Sequence, residues 1–85
     1  MPYFVYILQS KSTGGFYVGQ TDDLELRLIK HNSGFVPSTK SALPWTRVWS
    51  EAHPTRSSAM CRERQIKQWK SRKMIQRLID TSATF

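Results

Sequence analysis

Residues 3–9, Tyr-Phe-Val-Tyr-Ile-Leu-Gln, are followed by Lys-Ser-Thr-Gly-Gly at 11–15 and Phe-Tyr-Val-Gly at 16–19. The first run is rich in β-branched and aromatic residues and reads as a strand. Val5 and Ile7 fall on one side of it, Phe4 and Leu8 on the other. Both faces are apolar, which places the strand at the centre of its sheet. The two glycines can take positive φ in a turn, so Phe16 to Gly19 should return as a short strand and complete a hairpin. Tyr6 and Tyr17 then share a face if paired positions sum to an odd number, as with Tyr6 or Leu8 opposite Tyr17. They lie on opposite faces if the sum is even.

Asp22 and Glu25 have the spacing of a capping box, which predicts a helix over 23–32 that stops with Gly34 in the C′ position. Leu24, Arg27, Leu28 and His31 occupy one stripe of it, and Leu26 and Ile29 lie roughly opposite. That helix is either packed from two sides or has its Arg–His pair bordering a cleft. Residues 35–44 form a Pro/Ser/Thr-rich loop carrying Lys40. Trp45 to Glu51 alternates as a third strand, with Trp45, Arg47 and Trp49 on one side. Pro54, Thr55, Ser57 and Ser58 signal a second helix running to about Trp69. Ser71 can cap a last one through Ile79 with Met74, Ile75 and Leu78 on its core face. Residues 81–85 are expected to fray. Eighty-five residues have room for one core, so the whole chain reads as a single domain.

The formal net charge is +7, and eight of the thirteen basic residues lie from Arg56 onward, against Glu63 and Asp80. That imbalance fits a polyanionic partner, nucleic acid first and an anionic membrane surface second, as well as it fits a merely solvated helix face. A single cysteine, Cys61, excludes an internal disulfide framework and fits a reducing, cytoplasmic setting. It is expected in the core rather than as a nucleophile. No apolar run approaches the roughly 20 residues of a membrane span, so neither a membrane partner nor secretion is expected.

Glu63 shares a helical stripe with Ala59 and Ile66. A carboxylate among apolar neighbours costs several kcal/mol if unpaired, so it should meet a base such as Arg27 or Arg62, a hydroxyl, or a metal ion. One carboxylate is too few for a calcium cage but suits Mg²⁺ or Mn²⁺, which keep waters and take phosphate oxygens as further ligands. Paired-carboxylate glycosidase chemistry is disfavoured, because the other acids sit in turns and caps and the chain is too small for a sugar cleft. Taken singly, Tyr6, Tyr17 and His31 read as packing residues.

Taken together, Phe4-Val5-Tyr6, Tyr17-Val18-Gly19, Arg27, His31 one turn later and the helical Glu63 resemble the GIY-YIG nuclease family. The resemblance extends from Tyr3 to Ile79, and Tyr-Val-Gly-Gln-Thr followed by Leu-Glu-Leu-Arg-Leu-Ile-Lys-His-Asn-Ser-Gly is its most specific part. In the first motif Phe4 and Val5 stand for glycine and isoleucine, and in the second Val18 stands for isoleucine. The chain looks most like the family's short stand-alone bacterial members and is similar to the nuclease half of the excision-repair subunit UvrC.

The resemblance implies an α/β (α+β) fold, a three-stranded antiparallel sheet flanked by helices, and cleavage of DNA phosphodiesters with one divalent ion, in repair or recombination. It implies Glu63 as the Mg²⁺ or Mn²⁺ ligand and Arg27 as the stabiliser of charge on the phosphate. Tyr6, Tyr17 and His31 are left as alternatives for the general base. Lys40, Arg62, Lys67, Lys70, Arg72 and Lys73 are the candidate phosphate contacts on DNA, or on RNA. Without an appended recognition domain, binding should be weak, sequence-independent and lost with salt, so a protein partner could supply specificity. The rival expectation is a binding module of the same fold with little or no cleavage. The oligomeric state is not set by any feature of the sequence.

Overall fold

The structure is a computed structural model that describes residues 2–82. Strand β1 (Tyr3–Ser10) lies between β2 (Phe16–Thr21) and β3 (Trp45–His53), both antiparallel to it. Helix α1 (Leu24–Asn32) connects β2 to the loop before β3, which contains a 3₁₀ turn, Lys40–Ala42. Helices α2 (Arg56–Gln68) and α3 (Arg72–Ser82) follow. α3 includes Thr81 and Ser82 of the expected tail, and residues 83–85 lie outside the described residues. No helix among the described residues is long and apolar enough to cross a membrane.

The hairpin forms as its residues require. Ser10 N bonds to Gly15 O and Gly14 N to Ser10 O, both at 2.9 Å, and Gly14 takes the positive φ of +77°. The register pairs Tyr6 with Gly19 and Leu8 with Tyr17, the odd-sum case, so both tyrosines face one side. Strand β2 continues two residues past Gly19.

Alternate residues of β1 feed two cores. Val5 and Ile7 pack with Val18, Trp49, Ala59 and Ile66, bordered by Ile75, Leu78 and Ile79 of α3. Tyr6 and Leu8 pack with Trp45, bordered by Tyr17, Leu24 and Leu28. α1 is therefore packed from one side, since Leu26 and Ile29 are 48% and 63% exposed.

Four expectations change. Trp45 and Trp49 lie in different cores, because Ile7 pairs with Trp49 and Leu8 with Arg47, leaving Val48 as a β-bulge. An inserted residue reverses which side the following residues face. The cap of α1 is Asp23, whose Oδ1 accepts from Leu26 N at 3.0 Å. Glu25 binds Arg47 Nη1 at 3.0 Å instead of closing a capping box, while Gly34 does take the left-handed C′ position (φ +84°). Met74 is exposed and Ile79 takes its place against the core. Cys61 is exposed on α2.

Candidate active site

Gly19 makes room for the site. A Cβ there would lie 2.5 Å from the Tyr6 hydroxyl, so the Tyr6 ring crosses the strand only because its partner has no side chain. Tyr6 is buried, and its Oη lies 3.0 Å from His31 Nε2 and accepts from Arg27 Nε at 3.3 Å. Arg27 and His31 sit one turn apart on the stripe of α1 that packs on the sheet, which delivers both to the same phenol. The Tyr17 ring stands edge-on to His31, with centroids 4.8 Å apart, and 6.4 Å from Tyr6.

Behind His31, Nδ1 lies 2.9 Å from Thr39 Oγ1. Thr39 is fully buried, and its carbonyl accepts from Trp45 Nε1 at 2.9 Å. Asn32 anchors the same loop to β3, bonding both the N–H and the C=O of Trp45 at 2.7 and 3.0 Å. Thr39 carries no mark in the sequence, where it is one more polar residue of a loop, and Asn32 stands within the most specific stretch of the resemblance but carries no assigned role there.

Burial holds the Tyr6 hydroxyl above its usual pKa of 10.0, against the lowering effect of the Arg27 bond. Burial, and then the Arg27 charge, push His31 down to about 4. At neutral pH the site is a phenol against a neutral imidazole, under a guanidinium.

Glu63 lies beyond Tyr17, in an open groove of about 400 Å³ lined also by Gln20, Arg64, Lys67 and Lys70. Its stripe neighbours Ala59 and Ile66 are fully buried, and Glu63 itself is half-buried. Its Oε2 accepts from Lys67 Nζ at 2.7 Å, and that ammonium stands 5.9 Å from the centre of the Tyr17 ring. So Glu63 meets a base other than Arg27 or Arg62, one whose ammonium stands near the Tyr17 ring. Among the described residues no group of three or more His, Cys, Asp and Glu could hold a metal ion. A hydrated Mg²⁺ or Mn²⁺ needs no such group, and the Glu63 carboxylate, with Oε1 outside the lysine bond, fits one.

The basic residues separate. Lys67 and Lys70 line the groove, and both also line a neighbouring one with Arg72, whose guanidinium lies 5.0 Å over Phe16. Lys40 is exposed next to Thr39, and Lys73 is exposed on the first turn of α3. Arg62 is not brought to the groove. It donates to Glu51 and Gln65 at 3.1 and 2.8 Å and stacks on Trp49 and Trp69.

The model of the GIY-YIG catalytic domain matches residues 2–76. The chain belongs to the GIY-YIG family. A UPF0213 protein of Staphylococcus saprophyticus is 36% identical over 74 residues, 86% of this chain and 89% of its own length. One from Streptococcus sanguinis is 35% identical over 65 residues, 75% of this chain and 74% of its own. The solution NMR structure of a UPF0213 protein from Bacillus halodurans superposes with a TM-score of 0.63 at 33% identity, covering 99% of this chain and 88% of that one. The three-stranded antiparallel sheet with helices is thus a family fold, and the family's catalytic domain implies nuclease-type chemistry.

Proposed function

We propose that the protein is a divalent-metal-dependent endonuclease hydrolysing DNA phosphodiester bonds, acting on branched or damaged DNA in repair or recombination. The observation that carries this reading is the contact network of Arg27, Tyr6 and His31, linked through the Tyr17 ring to Lys67 of a groove that holds Glu63 and a second lysine. Lys67 and Lys70, with Arg72, Lys73 and Lys40, meet the phosphate backbone. Such contacts position the strand without reading its sequence.

Arg27, permanently charged and partly exposed, stabilises charge developing on the scissile phosphate. Tyr6 takes the proton of the attacking water as its own proton passes to His31 Nε2, and Tyr17 holds the imidazole edge-on. A pKa near 4 makes His31 a reluctant acceptor in the free protein. Part of that depression comes from Arg27, so a phosphate seated on Arg27 offsets it and raises the basicity of His31 when the proton arrives. Glu63 would hold a divalent ion, which would supply Lewis acidity at the phosphate and charge for the leaving oxygen.

The Lys67–Glu63 bond favours one rival, a binding module whose carboxylate is already neutralised. Incubating the protein with flap, fork and nicked DNA in Mg²⁺ or Mn²⁺ separates the two. Scission abolished by Glu63→Ala supports the nuclease, and salt-sensitive binding of uncut substrates with either metal supports the module.

A further inference from the structure

The hydrogen-bonded line through the site has two ends whose polarity cannot change. At one end Arg27 Nε–H can only donate, and it donates to Tyr6 Oη. At the other the carbonyl of Val36 can only accept, and it accepts from Thr39 Oγ1–H at 3.3 Å. Thr39 has one hydroxyl proton, so towards His31 its oxygen offers a lone pair. With the hydroxyl proton directed at Val36 O, His31 Nδ1, 2.9 Å away, is assigned the ring proton. Nε2 is then bare and faces Tyr6 Oη at 3.0 Å, where the phenol proton is the one left to fill the contact.

From the Tyr6 side alone either tautomer could be accommodated, since the phenol oxygen can accept from both Arg27 and an Nε2–H. Thr39 breaks that tie. It is 0% exposed, so no water competes for the Nδ1 proton, and Trp45 Nε1 and Val36 O both hold its backbone.

We propose that Thr39 is a positioning residue: its hydroxyl holds His31 as the Nδ1–H tautomer, so that Nε2 is the lone pair that takes the Tyr6 proton. The kinetic consequence rests on the nuclease reading above, whereas the tautomer does not. The opposite tautomer would place an N–H against Tyr6 and remove the acceptor for its proton. Outer-shell partners of metal-ligating histidines, which fix the tautomer in the same way, are typically worth 10–100-fold, and a change of that order is expected here by analogy.

Long-range ¹⁵N–¹H correlation spectra of the full chain at neutral pH read the tautomer directly. The expected result is a protonated Nδ1 and bare Nε2 at His31 in the native protein. Thr39→Val, which keeps the shape and removes the hydroxyl, should shift the proton towards Nε2, and Thr39→Ser should restore it. On cleaved DNA, kcat should fall roughly 10–100-fold in Thr39→Val with KM little changed, and recover in Thr39→Ser. An Nε2–H tautomer in the native protein overturns the proposal even if Thr39→Val does not fold. So does an unchanged Nδ1–H tautomer in a folded Thr39→Val. A native protein that cuts no substrate but shows the Nδ1–H tautomer and its loss in Thr39→Val sinks the nuclease reading and leaves the tautomer lock standing.

Discussion

On one face of the sheet Val5 and Ile7 meet other apolar groups: Val18, Trp49, Ala59 and Ile66 beneath α2 and α3. On the other, one residue along the same strand, Tyr6 meets a bare glycine, an arginine and a buried histidine beneath α1. The first face is held by area removed from water, which is tolerant of direction. The second has its own apolar core around Leu8 and Trp45, and adds hydrogen bonds whose partners are fixed in number and polarity; no buried side-chain N or O among the described residues lacks a partner. A strand only eight residues long thus feeds an apolar core on each face and carries its candidate chemistry at one even position, Tyr6.

A matched pair of substitutions tests that division most strongly. Tyr6→Phe removes one hydroxyl, and cleavage should drop by about 10²–10⁴ if the phenol transfers the proton. Its neighbour change, Ile7→Ala, should cost about 2–5 kcal/mol of unfolding free energy. Cleavage per folded molecule should stay near native. Denaturant titrations run beside single-turnover assays separate the two effects, and the division breaks if Ile7→Ala lowers the rate of the folded fraction as deeply as Tyr6→Phe does.

Much of this division is legible in the chain, and the illegible parts share a cause. The alternation of β1 and the Gly-Gly turn follow from local chemistry, and the parity rule needed only the register to place Tyr6 beside Tyr17. The 3.6-residue stripe likewise delivers Arg27 and His31 to one face. The bulge at Val48 has no local marker, so Trp45 and Trp49 read as one face and occupy two. With two adjacent aspartates, only the backbone path decides which becomes the cap, and Thr21 Oγ1 accepting from Asp23 N settles it for Asp23. Arg62, one more cation in a basic run, turns out to bridge Glu51 and two tryptophan rings. Thr39 depends on a contact eight residues back in a loop, where no periodicity applies.

Acid should expose the polar face before the apolar one. His31 is neutral in the native state down to about pH 4, while an unfolded histidine takes a proton near 6.5. Between those values the unfolded chain binds more protons, so its stabilising contribution is complete above about pH 6.5 and declines as pH falls towards 4. The loss approaches roughly 3 kcal/mol for a shift of that size. Carboxylates titrate at the lower end too, so the measurement is the difference between native protein and His31→Gln in urea unfolding from pH 7 to 4. A slope equal in both would mean His31 is not the group responsible.

The smallest effects ask whether the two faces unfold together. Asp23 caps α1 on the polar side and Thr55 caps α2 on the apolar side, each accepting one backbone N–H, at 3.0 and 3.1 Å. Each Ala substitution should cost about 0.5–2 kcal/mol, with Asp23 also losing a charge that the helix N-terminus favours. If the domain unfolds as one unit, both variants lower the unfolding free energy by the same order and raise amide exchange everywhere. α1 buries one stripe and leaves Leu26 and Ile29 in water, so it has fewer apolar contacts to hold it than α2, which buries Ala59 and Ile66. Asp23→Ala is therefore expected to speed exchange in α1 more than the global change accounts for, whereas Thr55→Ala speeds α2 only in proportion to it. Equal, purely global acceleration in both would mean that the Tyr6–His31 bond couples α1 to the sheet as firmly as the apolar core couples α2.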